Sequence, residues 1–559
     1  MYKLPFVTRI VWRDLSLLCA FLVCFFAYGL GNRPFATPDE GRYVEIPREM
    51  VVTGDLVTPR LNGVKYFEKP PLFYWLQAVS IKTFGIHFWS MRLWPMFFAI
   101  WGGIMVYVAG LTFFSRKTGL YAAGMLSTML LYYVHSRLIV LDLAVSIFIS
   151  ATVLLAYGAL HPFTKSKREP LLLGAYACAA LACLTKGLIG IVLPGLIFAV
   201  WGIFIRDFYK ILRLFSLKGI LIFLVIAAPW HILVCLRNPD FAYFYFIGEH
   251  FLRYTTEAHR RFQPFLFFVP IIGFGILPWA GAISSSMKDL FNASKIQKTL
   301  SNKETTCHET TLFLAVWSGV VFLFFSFSHS KLIPYILPVF PALALLGGEA
   351  LRKREESGKQ HAFCCLGFID IVFALGVAGY GMYELSEDAQ LKTLFSVDLW
   401  SIALFSLAAV SLPLFVKGVR GQVFKGLAWM PVLIFLNTVA IQVQEEIRPS
   451  IKPLADIVLL NARPEDRILC LGTYYQDLPV YLNRLVDIAE WEGELAFGIH
   501  AEDVSHRMMS AGDFWPIFQG DQRVFVLTQK NTYTRYWREL YFSHKILAET
   551  ERDIVFINK

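Results

Sequence analysis

The sequence contains a long series of apolar segments, separated by short polar loops. About twenty apolar residues in a helix span the hydrocarbon core of a bilayer, so the series predicts a polytopic α-helical membrane protein. The first segment, residues 15–30, has a basic start and no small-residue cleavage site after it, so we expect a retained helix rather than a signal peptide. Twelve further predicted spans bring the total to about thirteen: 91–114, 119–135, 138–160, 169–185, 187–205, 217–234, 264–283, 311–327, 332–350, 361–382, 397–416 and 424–442.

Basic residues concentrate in every second loop between these segments. The formal net charge of +10 therefore reflects the positive-inside pattern of membrane proteins and not a nucleic-acid-binding face. Only 17 % of the residues are charged, below the roughly 25 % of a soluble globular chain. We expect a cytoplasmic N-terminus and, with an odd number of spans, a C-terminus on the opposite side. The basic loops are Arg116-Lys117, 161–170, 206–218, 287–310, 351–360 and 417–426.

One loop, residues 35–72, is unusually rich in charge for its place beside the bilayer. Pro38 and Asp39 together indicate the start of a helix, Pro47 is expected to kink it, and Gly54 is expected to end it. We interpret this helix as amphipathic and lying in the membrane interface. The loop as a whole is interpreted as the active-site loop of a membrane enzyme, with Asp39 as its acid and with Glu40 and Arg42 beside it as substrate contacts.

An ionisable residue inside a predicted span is costly and is therefore a candidate functional residue. Asp142 lies a few residues into such a span, and Arg137 precedes it by about one turn. One interpretation is a structural Arg–Asp pair that tightens the end of the helix. The other is that Asp142 faces the same outer cavity as Asp39, as a second acid.

A second polar loop, residues 235–263, contains two histidines, His250 and His259. Imidazole and carboxylate ligands suit zinc or manganese, so either histidine with Glu68 is a candidate divalent-metal pair. The alternative is that these histidines only form hydrogen bonds at the interface. The nine cysteines include no CxxC pair, so no thiolate metal site is predicted.

A third patch, residues 327–341, combines Lys331 with three prolines. The prolines predict an irregular helix whose freed carbonyls line a cavity, whereas Lys331 alone would be explained by snorkelling to the interface. Anion binding is expected from Lys331 together with Lys69, Arg137 and Arg260. Acids and cations at an outer membrane face suit a lipid-linked phosphate substrate, because the cations neutralise the phosphate as it leaves.

From about residue 444 the composition changes to that of a small α/β domain. Strands are predicted at 467–472, 485–488 and 523–527, with short helices at 479–484 and 533–541 and a final hairpin near 545–558. No Gly-rich nucleotide fingerprint is present, since Gly472 stands alone. We expect this domain, residues 444–559, to support the membrane domain, residues 1–443, or to dock the acceptor.

Three stretches closely resemble the bacterial aminoarabinose transferase of lipid A, within the protein O-mannosyltransferase-like superfamily of polyprenyl-phosphate glycosyltransferases. They are PDEGRYVEIPREMVVTGDLVTPRLNGVKYFEKPPLFYW, the EH…AHRRFQPF loop and FSFSHSKLIPYILPVFPALALL. The resemblance covers residues 1 to about 440, with Gly41 and Pro47 as departures. It implies a GT-C fold with a periplasmic site and an outer α/β domain.

The resemblance also implies roles for individual residues. Asp39 would be the acid of the catalytic loop and Asp142 the second acid of the cavity. Lys69 and Arg137 would bind the lipid phosphate, and Glu68 with a histidine of the second loop would form the metal pair.

The expected reaction is transfer of a sugar from undecaprenyl phosphate to a periplasmic acceptor, with inversion at the anomeric carbon, in the inner membrane. Lipid A is the expected acceptor, and a protein or another cell-surface glycan is the alternative. A lipid or solute transporter is an alternative of another class, but we find no repeated halves in the sequence. A non-catalytic assembly factor is a third, which would not require Asp39, Lys69 and Asp142 together. The expected partners are the lipid-linked donor, the acceptor and membrane lipids.

Overall fold

A computed structural model describes residues 9–252, 263–277, 279–284, 286, 302–357, 450–537 and 543–559. The chain divides into two compact units. The first consists of residues 1–30, 95–229 and 250–445, and the second of residues 31–94, 230–249 and 446–559. The second unit therefore contains the predicted active-site loop together with the C-terminal segment.

Seven helices in the described part of the chain are long and apolar enough to cross a membrane. Three predicted spans, 361–382, 397–416 and 424–442, lie outside the described residues, so the count of thirteen stays a prediction. Two shorter apolar segments are Ile189–Ile205 and Phe265–Gly275. The seven are Arg9–Ala27, Leu93–Phe113, Asp142–Leu160, Arg168–Lys186, Leu217–Arg237, Thr306–Phe327 and Ile333–Ser357.

Three predicted spans differ clearly from the helices that the structure shows. The predicted span 264–283 is divided, with a 3₁₀ segment at Phe265–Phe267 and an α-helix at Phe268–Gly275. The predicted span 119–135 is two helices, Arg116–Thr128 and Leu130–His135, because Met129 adopts an extended conformation. The amide of Leu130 donates to the carbonyl of Leu277 (3.2 Å), so the break leaves that donor satisfied. The predicted span 138–160 begins only at Asp142.

The last of the described spans, Ile333–Ser357, consists of a 3₁₀ segment, Ile333–Val339, and an α-helix, Phe340–Ser357. The 3₁₀ segment contains two of the three predicted prolines, so the expectation of an irregular helix there is confirmed. The preceding helix extends over Asn302–Phe327. The short elements of the described membrane part are Pro162–Lys167, Phe208–Leu212, Tyr243–Leu252, Phe265–Phe267 and Phe268–Gly275.

The C-terminal segment forms a six-stranded mixed sheet. Its strands are β3 (Arg467–Leu471), β4 (Asp487–Ala489), β5 (Met508–Met509), β6 (Val524–Gln529), β7 (Lys545–Glu549) and β8 (Asp553–Ile557), in the order β5-β4-β3-β6-β8-β7. β5, β4, β3 and β6 run parallel, and β8 is antiparallel to both β6 and β7. The predicted α/β domain and its final hairpin are confirmed; the two-residue β5 was not predicted.

The central strands of the sheet are buried on both faces. On one face, alternate residues such as Leu469, Leu471, Val524 and Val526 form a hydrophobic cluster with Phe514 of the helix Ala511–Gln519. The residues between them, Ile468, Cys470, Phe525 and Leu527, are buried as well, as is typical of parallel strands in the middle of a sheet. The other helices are Lys452–Asn461, Leu478–Leu482, Gly493–Leu495, Ala496–Ala501 and Lys530–Trp537.

The predicted active-site loop contributes one helix and a two-stranded hairpin to the same unit, and two further helices follow it. The helices are Asp39–Thr53, Leu72–Phe84 and Phe88–Met91, and the strands are β1 (Arg60–Leu61) and β2 (Val64–Lys65). At the hairpin tip, Asn62 is fully buried with a positive φ of 56°. Its amide donates to the carbonyl of Val486 (2.8 Å) and accepts from the Val486 amide (3.0 Å), so the hairpin is bonded to the C-terminal domain.

Replacing Asn62 tests this connection. Asn62→Ala leaves both main-chain groups of Val486 buried without partners and keeps an unfavourable φ, so we expect a loss of about 2–4 kcal/mol in the free energy of unfolding. The measurement is the temperature at which the C-terminal domain of the detergent-solubilised protein becomes sensitive to protease. Asn531→Ala, at an exposed helix position, is the control. Equal temperatures for the two variants would contradict the prediction.

Candidate active site

Asp39 is the first residue of the helix Asp39–Thr53. Pro38 precedes it, and acids in the first turn are favoured there by the helix dipole. The helix ends at Gly54, whose left-handed conformation (φ 75°) lets its amide donate to the carbonyl of Met50. The predicted start and stop are therefore confirmed. The side chain of Asp39 is 63 % exposed and lies 3.5 Å from the guanidinium of Arg42.

The rest of this helix is buried, although an interfacial amphipathic helix was predicted. Every residue from Tyr43 to Met50 is buried, including three charged ones. The prediction is wrong because the helix packs against Leu72–Phe84 and against the C-terminal helix Leu478–Leu482, which cover its polar positions as well as its apolar ones. Hydropathy cannot predict the burial of this helix, because it counts charged residues as exposed even where they are paired inside the protein.

Glu40 is enclosed by two arginines. Its carboxylate accepts from Arg33 (2.7 and 2.8 Å), from Arg92 (2.8 and 3.3 Å) and from the amide of Ala36 (2.9 Å), and Glu40 is only 1 % exposed. Burial alone would raise the pKa of Glu40, but Arg92 and Arg33 lower it to about 2. Both carboxylate oxygens are occupied, so the geometry of Glu40 differs from that expected of a substrate contact.

Arg42 links the first turn to the C-terminal domain. Its guanidinium pairs with Glu494 (2.7 Å) and lies 6.0 Å from the centroid of the Tyr66 ring. Burial disfavours its charge, but Tyr66, Glu494, Glu68 and Asp39 together raise the pKa of Arg42. Arg42 is thus a fixed cation within electrostatic reach of three carboxylates.

Lys69 and Glu68 are close together in the same unit. The ammonium of Lys69 donates to the main-chain carbonyl of Glu68 (2.8 Å) and lies 3.7 Å from its carboxylate. Both side chains are largely buried. An acid, Asp39, and two cations, Lys69 and Arg42, therefore belong to one compact unit.

Asp142 belongs to the other unit, where it begins the helix Asp142–Leu160. Its carboxylate pairs with Lys186, the last residue of the helix Arg168–Lys186, and the ammonium of Lys186 lies 4.3 Å from the centroid of the Tyr335 ring. The sequence predicted that Asp142 lies inside its helix, with Arg137 as one candidate partner. In the structure its partner is Lys186. Lys186 was not predicted as a site residue, although a lysine between two apolar helices was a usable signal.

Arg137 and Lys331, two predicted site cations of the membrane part that the structure describes, bond to main-chain carbonyls. Arg137 is buried and donates to the carbonyls of Phe26 and Tyr28 and to the hydroxyl of Tyr133 (2.7 Å). Lys331 is buried and donates to the carbonyl of Gln263 (2.8 Å). Their charges are therefore held within the protein and do not snorkel.

The predicted metal ligands are only partly described. Glu68 is described, the side chain of His250 is not, and His259 and Arg260 lie outside the described residues. Among the described residues there is no group of three His, Cys, Asp or Glu that would hold a metal ion. The metal pair therefore stays a prediction.

Two acids of the C-terminal domain, Asp477 and Glu494, complete the surroundings of the helix start and were not predicted. Asp477 is fully buried and accepts from the hydroxyl of Thr37 (2.8 Å). Burial raises its pKa to about 7. No local pattern marks these residues, because their partners lie more than 400 positions away in the sequence.

Comparisons with known proteins match both parts of the chain. Residues 12–245 match the family model of dolichyl-phosphate-mannose-protein mannosyltransferases, and residues 454–558 match that of the aminoarabinose transferase C-terminal domain. The resemblance therefore extends into the C-terminal domain, beyond the 440 residues to which sequence inspection assigned it.

Individual relatives give the same picture. The undecaprenyl phosphate-alpha-4-amino-4-deoxy-L-arabinose arabinosyl transferase of Aeromonas hydrophila is 31 % identical over 64 % of this chain and 63 % of its own length. Transferase 1 of that name in Proteus mirabilis is 31 % identical over 68 % of this chain and 69 % of its own. The crystal structure of ArnT from Cupriavidus metallidurans bound to undecaprenyl phosphate is 27 % identical, with a TM-score of 0.81 over 99 % of each chain. The predicted class, a helical membrane protein of GT-C fold with a small C-terminal α/β domain, is confirmed.

The raised pKa of Asp477 predicts a pH-dependent stability. The folded state keeps a proton that the unfolded chain loses from about pH 4, so the free energy of unfolding falls as the pH rises towards 7, by at most about 1.4 kcal/mol per pH unit. Asp477→Asn cannot ionise and should remove this contribution. The measurement is the difference between the melting temperatures at pH 5 and pH 7.5.

The control is Asp521→Asn, because Lys559 lowers the pKa of Asp521 and its titration therefore falls below this window. The control should keep the pH dependence of the original protein. The same difference in all three proteins would show that Asp477 is ionised alike in the folded and unfolded states.

Proposed function

The chain belongs to the family of undecaprenyl phosphate-alpha-4-amino-4-deoxy-L-arabinose arabinosyl transferases, and from this we propose that it transfers aminoarabinose from undecaprenyl phosphate to lipid A. The donor and the acceptor are themselves part of the proposal, because the match to the Aeromonas hydrophila transferase spans only 63 % of that protein's length. The enzyme would work at the outer face of the bacterial inner membrane. Its N-terminus would be cytoplasmic and its C-terminus periplasmic, as the basic loops predict.

The observation that supports this function best is the exposed position of the Asp39 side chain at the start of a buried helix. This side chain is an exposed carboxylate on the first residue of a helix whose following residues are buried and ion-paired. An enzyme needs its reacting groups held in a fixed geometry, and a buried helix provides it. Arg42 and Lys69, in the same unit, provide the positive charge that a phosphate substrate requires.

The reaction is a displacement at the anomeric carbon. An oxygen of the acceptor attacks that carbon, the bond between the carbon and the lipid phosphate oxygen breaks, and the electron pair leaves with the phosphate, so the configuration inverts. Lys69 neutralises the leaving phosphate, as does Arg137 in the role that the resemblance implies.

The role of Asp39 depends on the acceptor. A phosphate of lipid A is already ionised at neutral pH, so Asp39 would only orient it. A hydroxyl acceptor would require Asp39 to accept a proton as the bond forms. In this proposal Glu40 positions the first turn and does not contact substrate, because both of its oxygens are bonded to arginines.

Asp142 is the second acid in the role that the resemblance implies, and it is held by Lys186 in the other unit. Lys331 and Arg260 are proposed as further anion ligands because of their charge, and not because of the resemblance. The metal pair again follows from the resemblance. Glu68 with His250 or His259 would hold zinc or manganese, and such an ion would add positive charge for the phosphate when bound. No step of the reaction above is assigned to the metal.

Substitution of Asp39 tests the function. With Asp39→Asn we expect at least a hundredfold slower transfer of radiolabelled aminoarabinose from undecaprenyl phosphate to lipid A, because the reacting groups are no longer held in position. Mass spectrometry of the lipid identifies the product. Asp521→Asn, an exposed acid of the C-terminal domain, is the control.

Two results would contradict the proposal. Modified lipid A from the Asp39→Asn variant at the normal rate would remove Asp39 from the reaction. If the original protein leaves lipid A unmodified and labels a protein or a surface glycan, the acceptor is not lipid A.

Substitution of Lys69 tests the phosphate site. Lys69→Met removes a cation from the leaving group, so we expect a 10- to 100-fold lower kcat/KM for the lipid-linked donor and weaker binding of undecaprenyl phosphate. Both are measured with purified protein in detergent. Lys82→Met, at an exposed position of the helix Leu72–Phe84, is the control. Unchanged binding in the Lys69 variant would mean that other cations hold the phosphate.

A further inference from the structure

The residues on both sides of Asp39 are bonded to the C-terminal domain. From this we propose, on the basis of the function proposed above, that Asp477 and Glu494 of that domain are positioning residues for Asp39. The C-terminal domain would then be part of the catalytic machinery, and not only a support or a docking surface for the acceptor. Three independent contacts carry the proposal.

The first contact holds the chain before Asp39. The amide of Phe35 donates to the hydroxyl of Tyr481 (3.0 Å), and the hydroxyl of Thr37 donates to the carboxylate of Asp477 (2.8 Å). The ring of Phe35 also stacks on that of Tyr481, with centroids 5.9 Å apart. The approach to the helix is thus fixed two residues before Asp39.

The second contact holds the chain after Asp39. A Cβ atom on Gly41 would lie 2.4 Å from the amide nitrogen of Asp477 and 2.8 Å from its Cα. These are main-chain atoms, so no rotation of a side chain would relieve the overlap. The first turn of the helix therefore touches the backbone of the C-terminal domain directly, and only glycine allows this approach.

The third contact is electrostatic. Arg42 is held by Glu494 (2.7 Å), and Glu494 is held by the amide of Gln476 (2.8 Å). The other side of the Arg42 guanidinium lies 3.5 Å from Asp39. Glu494 thus determines where the cation beside Asp39 lies, without touching Asp39 itself.

These contacts imply an effect on rate more than on substrate affinity. Asp39 is exposed, so its position depends on the backbone that carries it and on Arg42 beside it. A displacement of about 1 Å at a reacting group is enough to slow a reaction about a hundredfold. Lys69, one of the two cations assigned to the donor phosphate in this unit, is not among the residues displaced, so we expect KM for the donor to change less than kcat.

The first experiment replaces Gly41 with alanine. We expect Gly41→Ala to lower kcat for transfer of aminoarabinose to lipid A at least tenfold, with KM for the lipid-linked donor changed less than threefold. Gly512→Ala is the control, because a Cβ there meets only the Ser510 hydroxyl at 3.6 Å. A Gly41→Ala protein that folds and keeps its kcat would overturn the proposal.

The second experiment does not depend on the folding of the glycine variant. Glu494→Gln is made in the original protein and in Asp39→Asn. If Glu494 acts through Asp39, Glu494→Gln should lower kcat at least tenfold in the original protein and leave the residual rate of Asp39→Asn unchanged. A purely structural role would lower both rates by the same factor. Glu494→Asp should recover part of the loss.

The results separate this proposal from the proposed function. If Asp39→Asn transfers sugar normally, the function assigned to Asp39 fails. If Asp39→Asn is inactive and Glu494→Gln keeps the original kcat, or lowers both rates equally, the function stands and the positioning role of Glu494 is wrong.

Discussion

The buried carboxylate of Glu40 between Arg33 and Arg92 is the interaction on which the rest of the site depends. A charge removed from water is costly unless it is paired and hydrogen-bonded, and removing one partner of such a group is strongly destabilising. Here the carboxylate accepts from both arginines and from the amide of Ala36, so its bonding is complete. Arg92 also donates to the carbonyls of Arg33 and Pro34, which fixes the chain that leads to Asp39. The predicted catalytic acid, Asp39, is therefore placed by its neighbour Glu40.

The C-terminal domain also contacts the chain around the first turn of this helix. Asp477 and Tyr481 hold residues before Asp39, and Glu494 holds Arg42 after it. Neither the loop nor the domain alone contains all of these groups. This explains why the two segments, which are far apart in the sequence, form one compact unit. It also gives a physical reason for Gly41, which departs from the pattern expected of the family.

Local patterns in the sequence predicted what local forces determine. Pro38 and Gly54 predicted the ends of the helix, apolar runs predicted the spans, and alternating strands predicted the C-terminal sheet. The burial of the helix was not predicted, because its partners in the C-terminal domain are about 440 residues away and carry no motif. The break at Met129 was missed for a similar reason, since the amide of Leu130 is satisfied by the carbonyl of Leu277 in another segment. Lys186 was missed as the partner of Asp142 because Arg137, nearer in sequence, gave a simpler pairing.

The buried carboxylates near the two ends of this helix are stabilised in different ways. At its start, one carboxylate, Glu40, is shared by two arginines, and its pKa is lowered. Further along, two carboxylates, Glu45 and Glu49, lie near one arginine, Arg48. Arg48 donates to Glu45 through two of its nitrogens, Nε and Nη2. Burial and the charge of Glu45 raise the pKa of Glu49 well above its usual range, so the neutral form of Glu49 is favoured inside the protein. The carboxylates of the buried part of the helix are thus either paired with arginine or shifted towards the neutral form, whereas Asp39 remains exposed.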